Sequence, residues 1–107
     1  MNFHEYQRKA WEFAIYPNRN FNPEYPALGL AGEAGEVCNK IKKIQRDNLD
    51  MDTVRDSIAS EIADTLWYIS ALCSEFGLDL DVIAQTNLMK LESRRARGVI
   101  GGSGDSR

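Results

Sequence analysis

The sequence predicts an all-α protein, a four-helix antiparallel bundle that associates with further copies of itself through its helices. Apolar residues recur at helical spacing in four segments, and no alternating apolar run bounded by turn residues indicates a strand. All three prolines lie within residues 16–26, and the other connections between helices are short. Because short connections join antiparallel neighbours, the four segments are expected to form a bundle.

The first two helices flank the long connection. The first is predicted over residues 2–16, with Asn2 as its N-cap. Residues 16–26 are rich in proline and asparagine, which are typical of turns, and form a loop. The second helix is predicted over 27–46. Its core-facing stripe consists of the apolar residues Leu30, Ala34, Val37, Ile41 and Ile44.

The third and fourth helices are joined by a tight turn. The third is predicted to start at residue 52 or 53 and to end at Phe76, with Gly77 as a left-handed C-cap. Asp79 is the predicted N-cap of the fourth, which ends near Arg95. The residues of the third helix that face the core are Ile58, Ile62, Ile69, Leu72, Cys73 and Phe76.

Length and composition indicate a single globular domain. We assign residues 1–97 to this domain and expect the glycine- and serine-rich residues 98–107 to form a flexible tail. Apolar residues make up 43% and charged residues 27% of the chain, which is typical of a globular protein. No segment approaches the roughly 20 apolar residues of a membrane span, and the first residues lack the apolar core of a signal peptide. We therefore expect a cytoplasmic protein with no membrane partner.

Charge and cysteine content exclude further classes of partner and site. The formal net charge of −3 disfavours binding to nucleic acid. Cys38 and Cys73 are isolated in the sequence and His4 is the only histidine, so a Cys/His zinc site is excluded and a disulfide is not expected. Each cysteine is instead expected to be a small buried apolar residue.

Two pairs of acidic residues flank the apolar stripes of the second and third helices. Glu33 and Glu36 lie on one flank of the second helix, within the stretch GLAGEAGEV, and Glu61 and Asp64 are placed in the same way on the third. Antiparallel packing brings the two pairs opposite each other. Four converging carboxylates repel unless a cation lies between them, and hard oxygen ligands suit Mg²⁺. The pattern therefore predicts a magnesium site.

Glycines recur every third residue beside the first acidic pair, at Gly29, Gly32 and Gly35. A glycine inside a helix costs about 1 kcal/mol relative to alanine, so a compensating contact is expected. A strip without side chains permits the close approach of either a neighbouring helix or a ligand. The sequence leaves both open.

The stretch from GEAGEV to EIADTLWYIS, followed by NLMKLESR, resembles the MazG-like nucleotide pyrophosphohydrolases of the all-α NTP pyrophosphatase superfamily. The likeness covers about residues 3–97, and its signature is an ExxE followed by an ExxD, here Glu33/Glu36 and Glu61/Asp64. It implies that these four acids hold Mg²⁺, with Mn²⁺ as an alternative. Some members carry a further acid where this chain has Gly32, which leaves the number of metal ions open.

The resemblance also implies an activity, the hydrolysis of a nucleoside or deoxynucleoside triphosphate to the monophosphate and pyrophosphate as nucleotide-pool housekeeping. All four acids are then candidate catalytic residues. Glu36, Glu61 and Asp64 are expected as the main metal ligands, and Glu33 either completes the ligand set or orients the attacking water. The candidates for phosphate or base contacts are Lys40, Lys43, Asn87, Lys90 and Arg94. The last three share a face of the fourth helix, which also fits a solvated basic helix end.

A nucleotide base needs an apolar or aromatic slot to bind. Separately, the third helix is apolar on more than one side and therefore needs cover from outside the chain. We expect a homodimer or homotetramer, which the resemblance also implies, often with a site shared between subunits. Trp11 and Tyr68 suit the core or a subunit interface as well as the slot. The candidates for the slot are Trp11, Tyr16, Phe21, Tyr25 and Tyr68.

Three other functions compete with this one. A di-iron carboxylate bundle requires Glu-x-x-His pairs, and His4 lies outside any such pair. A non-catalytic regulatory or interaction dimer, whose acids only bind cations, stays open. So does a phosphoribosyl-ATP pyrophosphatase of the same superfamily.

Overall fold

Four α-helices and no strands make up the structure, a computed structural model that describes all 107 residues. In chain order the helices are α1 (Phe3–Trp11), α2 (Glu24–Asp47), α3 (Met51–Glu75) and α4 (Leu80–Ala96). The predicted all-α, four-helix class is confirmed. No helix combines the length and the apolar character that crossing a membrane requires.

α2 and α3 form a long antiparallel hairpin that provides most of the contact between helices. Asn48 ends α2 in the left-handed conformation, with φ of 52°, and its N–H donates to the Ile44 carbonyl. Asp50 then caps α3 by accepting a hydrogen bond from the Asp52 N–H. Asparagine tolerates left-handed backbone and aspartate is a preferred N-cap. Local sequence therefore builds the reversal between the two helices.

The end of α1 differs from the prediction. The helix stops at Trp11, whereas the apolar pattern predicted that it would continue to residue 16. Beyond Trp11 the chain turns, and Ala14 and Tyr16 become buried while Phe13 is 72% exposed. Contacts with distant residues outweigh helix propensity in this segment.

The start of α2 also differs, because the helix begins at Glu24 and includes Pro26 in its first turn. The prediction placed all three prolines in the preceding loop. Proline is tolerated in the first turn of a helix because the N–H groups there have no acceptor within the helix. Pro26 is fully buried, so the helix gains a packed first turn.

Glu75, at the C-terminal end of α3, fixes the loop between α1 and α2. Its carboxylate accepts hydrogen bonds from the Tyr16 hydroxyl at 2.5 Å, the Asn20 N–H at 3.0 Å and the Asn22 N–H at 3.1 Å. Burial alone would raise the pKa of Glu75, but these hydrogen bonds and the charge of Arg19 outweigh it and hold that pKa below its usual value. The loop is thus tied to α3 by a charged group.

Gln7 joins α1 to the turn between α3 and α4. Its amide nitrogen donates to the Leu78 carbonyl at 2.8 Å and to Ser74 Oγ at 3.1 Å, and its amide oxygen accepts from the Leu80 N–H at 2.8 Å. Gly77 adopts φ of 65° in this turn, as its predicted role at the end of the third helix requires. α4 consequently lies against α1.

Little of the single chain is buried, since only nine of its 107 residues are. The radius of gyration is 16.7 Å, against about 13 Å for a compact chain of this length. Large apolar residues of the predicted core stripes remain exposed, including Ile62 at 56% and Phe76 at 63%. One copy of the chain therefore leaves apolar helix faces uncovered.

The two cysteines differ in environment. Cys73 is buried, as predicted, whereas Cys38 is exposed and its prediction was wrong. α3 covers only one side of α2. Successive residues of a helix point about 100° apart, so Cys38, which follows Val37 of the predicted stripe, lies outside the covered side. Neither cysteine forms a disulfide.

Candidate metal centre

Three carboxylates from α2 and α3 converge near the middle of the hairpin. One carboxylate oxygen from each of Glu33, Glu61 and Asp64 lies within 4.8 Å of the other two. Glu33 and Glu61 are half-buried and Asp64 is exposed, so the group opens to solvent on one side. Oxygens bound to one Mg²⁺ are about 3–4 Å apart, so small side-chain rotations would bring the three into coordination distance. We call these three residues the acid cluster.

The helical hairpin explains why these residues meet. Glu61 and Asp64 are three residues apart and therefore neighbours on one face of α3. Glu33 comes from α2, which runs in the opposite direction and places it across from them. The prediction that acids of the second and third helices lie opposite each other is confirmed for these three residues.

The carboxylates of the acid cluster crowd one another. A hydrogen bond with Glu61 is the largest effect that raises the pKa of Glu33, followed by burial and then by the charges of Glu61, Asp64 and Glu36. A carboxylate whose pKa is raised by neighbouring carboxylates lacks a sufficient positive partner. The donor set, all hard oxygen and underneutralised, therefore fits a divalent cation such as Mg²⁺.

One lysine partly balances this charge. Lys40 Nζ lies 3.7 Å from Glu61 Oε1, and both side chains are largely shielded from solvent, at 27% and 19% exposure. Lys40 is thus the predicted cation that the structure brings to the acid cluster. Lys43 is exposed and forms no ion pair with the cluster.

Glu36 does not join the acid cluster, although it was expected among the main ligands. Its side chain is exposed, and the carboxylates within 4.8 Å of one another are Glu33, Glu61 and Asp64. Glu36 still lies close enough for its charge to raise the pKa of Glu33. Its role as a ligand stays a prediction.

Of the three spaced glycines, Gly29 has a clear packing reason. A Cβ at this position would overlap the ring of Tyr68 on α3, whereas a Cβ at Gly32 or Gly35 would meet no heavy atom within 4 Å. Gly29 is one helical turn before Glu33, and Tyr68 is one turn after Asp64. The glycine therefore lets α2 and α3 approach closely next to the acid cluster.

Tyr68 lines a cavity of about 260 Å³ together with Glu33, Asp64 and Trp67. Burial is the largest effect that raises the pKa of Tyr68, and the charges of Tyr25, Glu33 and Asp64 add to it. Drug-sized and cofactor ligands occupy clefts of about 300–1,000 Å³. The cavity of one chain is therefore too small to enclose a whole nucleotide.

Most of the aromatic residues predicted for a base slot belong to one patch. Tyr16 and Tyr25 stack with ring centroids 4.6 Å apart, and Trp11 meets Tyr16 edge-on at 6.2 Å. Tyr25 of this patch contributes to the raised pKa of Tyr68, which lines the cavity at the acid cluster. Phe21 is 88% exposed and takes part in none of these contacts.

The predicted polar residues of α4 do not reach the acid cluster within one chain. Asn87 is exposed, and Lys90 and Arg94 form their hydrogen bonds with Asp105 instead. Any contact between α4 and the acid cluster would therefore involve a second copy or a movement of α4.

Trp67 lines the site and Tyr6 lies near it, and neither was predicted as a functional candidate. The pKa of Tyr6 on α1 is raised by burial and by the charge of Asp64. Trp67 lines the cavity, and its Nε1–H donates to the Ala10 carbonyl at 3.2 Å. In the sequence both residues read as ordinary apolar helix positions, so no signal distinguishes them.

Fold and site together define a small all-α domain in which carboxylates from two paired helices converge and offer ligand atoms for a cation. The MazG nucleotide pyrophosphohydrolase domain family matches residues 21–99, and the chain belongs to this family. It is similar to Gene 37 protein of Mycobacterium phage L5, at 43% identity over an alignment of 109 positions that covers 95% of this chain and 96% of that protein. No solved structure matches the chain at a significant level. The predicted resemblance is confirmed.

Proposed function

We propose that the chain hydrolyses a nucleoside or deoxynucleoside triphosphate to the monophosphate and pyrophosphate, with Mg²⁺ bound at the acid cluster. The observation that carries this proposal is the convergence of Glu33, Glu61 and Asp64 from two helices in a member of the MazG family. A role in nucleotide-pool housekeeping follows from such an activity. Mn²⁺, which takes the same oxygen ligands, is the alternative ion.

Each residue of the acid cluster has a defined task in this reaction. Glu61 and Asp64 hold the metal, which neutralises phosphate oxygens when bound. Glu33 has a raised pKa and lies beside both ligands, so its carboxylate suits the orientation of the attacking water and acceptance of its proton. The water oxygen bonds to the α-phosphorus, and the bond from that phosphorus to the bridging oxygen breaks. Pyrophosphate leaves with the bridging oxygen.

Other residues bind the remainder of the nucleotide. Lys40, already beside Glu61, balances charge on the triphosphate, and exposed Lys43 extends the same row toward the phosphates. Tyr68 and Tyr25 provide aromatic surface next to the acid cluster for the base. Glu36 serves as an additional ligand to a hydrated metal ion.

A second copy of the chain completes the site in this proposal. A groove of about 530 Å³ lies between the C-terminal part of α2 and the N-terminal half of α3 and is lined mainly by apolar residues. On α4, Leu88 is 61% exposed and Met89 is 68% exposed. We expect a homodimer or homotetramer to cover these faces, because helices α1–α4 of one copy leave them exposed. Asn87, Lys90 and Arg94 of α4 then become available to the phosphates across the interface.

Turnover of a nucleotide panel tests the activity. Pyrophosphate release is measured from the common ribo- and deoxyribonucleoside triphosphates with and without Mg²⁺, for wild type, Asp64→Asn and the control Asp56→Asn. Asp56 is exposed on the same helix and belongs to no cation-binding group. We expect at least one substrate to be hydrolysed only with metal, and Asp64→Asn to lose about 100-fold or more, since even indirect metal partners cost 10–100-fold.

Two results would contradict the proposal. Equal, metal-independent rates in Asp64→Asn and Asp56→Asn would remove the acid cluster from the chemistry. Metal binding without turnover of any nucleotide, phosphoribosyl-ATP included, would indicate a non-catalytic interaction protein. A light-scattering mass of 12.1 kDa at micromolar concentration would exclude the shared site.

A further inference from the structure

The C-terminal segment 98–107 folds back on α4 and places a carboxylate on two of its basic residues. Lys90 Nζ donates to Asp105 Oδ1 at 2.8 Å, and the Arg94 guanidinium donates to Asp105 Oδ1 at 3.2 Å and to the Asp105 carbonyl at 2.7 Å. The Lys90 hydrogen bond is the largest of the effects that hold the pKa of Asp105 below its usual value. The carboxylate is therefore charged at neutral pH. The predicted flexibility of this segment stays a prediction.

The segment is held in this position by arginines at both of its ends. Arg97 donates to the Arg107 carbonyl at 2.9 Å, which closes the segment into a loop. The guanidinium of Arg107 fills that loop and donates to four backbone carbonyls, those of Val99, Ile100, Gly101 and Gly104. Asp105 thus reaches Lys90 and Arg94 from an organised loop.

Arg94 has the features of a built anion site. It is 6% exposed, and its Nε is buried without a hydrogen-bond partner although its terminal nitrogen is bonded to Asp105. A buried guanidinium N–H that lacks an acceptor is costly, since such groups are almost always satisfied. A carboxylate supplies two oxygens to this pair of cations, whereas a phosphate group supplies three and carries more charge.

We propose that Asp105 occupies the Lys90 and Arg94 pair in the free chain, and that a phosphate group of the substrate or of pyrophosphate displaces it from them. The segment 98–107 thereby acts as an internal competitor that weakens phosphate binding. This inference rests on the proposed function for the identity of the anion.

Displacement is physically feasible because the competing carboxylate is weakly held. The Asp105 side chain is 87% exposed, and exposed ion pairs contribute little to stability because water screens them. An incoming phosphate gains the free Arg94 Nε–H as well as the donors that Asp105 releases. The exchange leaves Asp105 in water and satisfies a buried donor.

Titration of the metal-free full chain with inorganic pyrophosphate tests the inference by calorimetry in the presence of EDTA. Removing the competing charge in Asp105→Asn is expected to tighten binding about two- to fivefold, the range of an exposed ion pair. The control Ser106→Ala changes the adjacent residue, whose side chain forms no hydrogen bond, and should bind as wild type does. Lys90→Gln should bind pyrophosphate at least fivefold more weakly. Repeating the titration with a non-hydrolysable deoxynucleoside triphosphate shows whether substrate or product is preferred.

The outcomes separate this inference from the proposed function. Equal affinities of wild type, Asp105→Asn and Lys90→Gln for both anions would overturn the inference even if nucleotides are hydrolysed. Tighter binding by Asp105→Asn would support it even if no nucleotide is hydrolysed, because the measurement needs neither metal nor turnover. The Lys90 side chain is half-buried, with 40% exposure, and glutamine keeps most of its aliphatic stem, so the replacement is expected to leave the fold intact.

Discussion

Replacing Gly29 with alanine is expected to disturb the metal centre from one helical turn away. The added methyl group would overlap the ring of Tyr68, which has little freedom to move because it packs edge-on against Trp67 with centroids 5.2 Å apart. α2 and α3 must then separate at this level, or the ring must leave its position. Either change moves Glu33 away from Asp64, since each lies one turn from the contact.

The size of the effect follows from two opposing terms. Alanine is favoured over glycine inside a helix by about 1 kcal/mol, whereas forcing a methyl group into a packed contact costs about 1–3 kcal/mol. The variant Gly35→Ala isolates the first term, because a Cβ there would meet no heavy atom within 4 Å. Gly29→Ala should therefore be about 1–3 kcal/mol less stable than Gly35→Ala.

The comparison needs two measurements on both variants at one protein concentration, because association of subunits contributes to apparent stability. Urea unfolding gives the free energy of unfolding, and calorimetric titration gives the affinity for Mg²⁺. Gly29→Ala is expected to bind Mg²⁺ more weakly and Gly35→Ala to bind it as wild type does. Equal stability and equal Mg²⁺ affinity of the two variants would refute the argument that the contact between Gly29 and Tyr68 sets the spacing of the acids.

Two further predictions concern the contacts that hold the loops. Glu75→Gln should destabilise the protein by about 1–3 kcal/mol at pH 7 through weaker hydrogen bonds to the loop. Because the pKa of Glu75 is lowered in the folded state, its stabilisation is complete above the unfolded value of about 4.3 and is lost as pH falls through the folded value. The wild type should therefore lose its advantage over Glu75→Gln in urea unfolding at low pH, and a constant difference at every pH would speak against this. Gln7→Ala leaves the Leu80 N–H without its acceptor and should lower the free energy of unfolding by about 2 kcal/mol. The control Gln85→Ala removes only a surface hydrogen bond and should lower it by less than about 0.5 kcal/mol. Equal unfolding free energies of these two variants would show that Gln7 does not tie α1 to α4.

Local signals predicted the helix ends well where the cap itself decides them. Asn2 and Asp79 both accept the backbone hydrogen bonds expected of N-caps, and Gly77 adopts the left-handed conformation. The chain beyond α1 is held instead by distant contacts, such as the hydrogen bond from Tyr16 to Glu75, 59 residues further along the chain. No pattern confined to residues 2–16 contains that information.

The candidate site shows the same division between local and distant information. Periodicity predicted which helix flanks carry the acids, and Glu33, Glu61 and Asp64 do meet. It could not choose between Glu33 and Glu36, because both lie on the same flank of α2 and the choice depends on how α2 is rotated against α3. The contact of Gly29 with Tyr68 helps to fix that rotation. The sequence alone does not identify which residue packs against a glycine in a helix.

The short reversal at Asn48 constrains how relatives of this chain can differ in length. Gly29 pairs with Tyr68 and Glu33 with Asp64, so both pairs are symmetric about the tip of the hairpin. Inserting one residue on either side would turn every side chain between the tip and the acids by about 100° and abolish their meeting. Viable insertions or deletions must therefore add or remove about seven residues, or two turns, in both helices at once. The loop at 12–23 does not have this constraint.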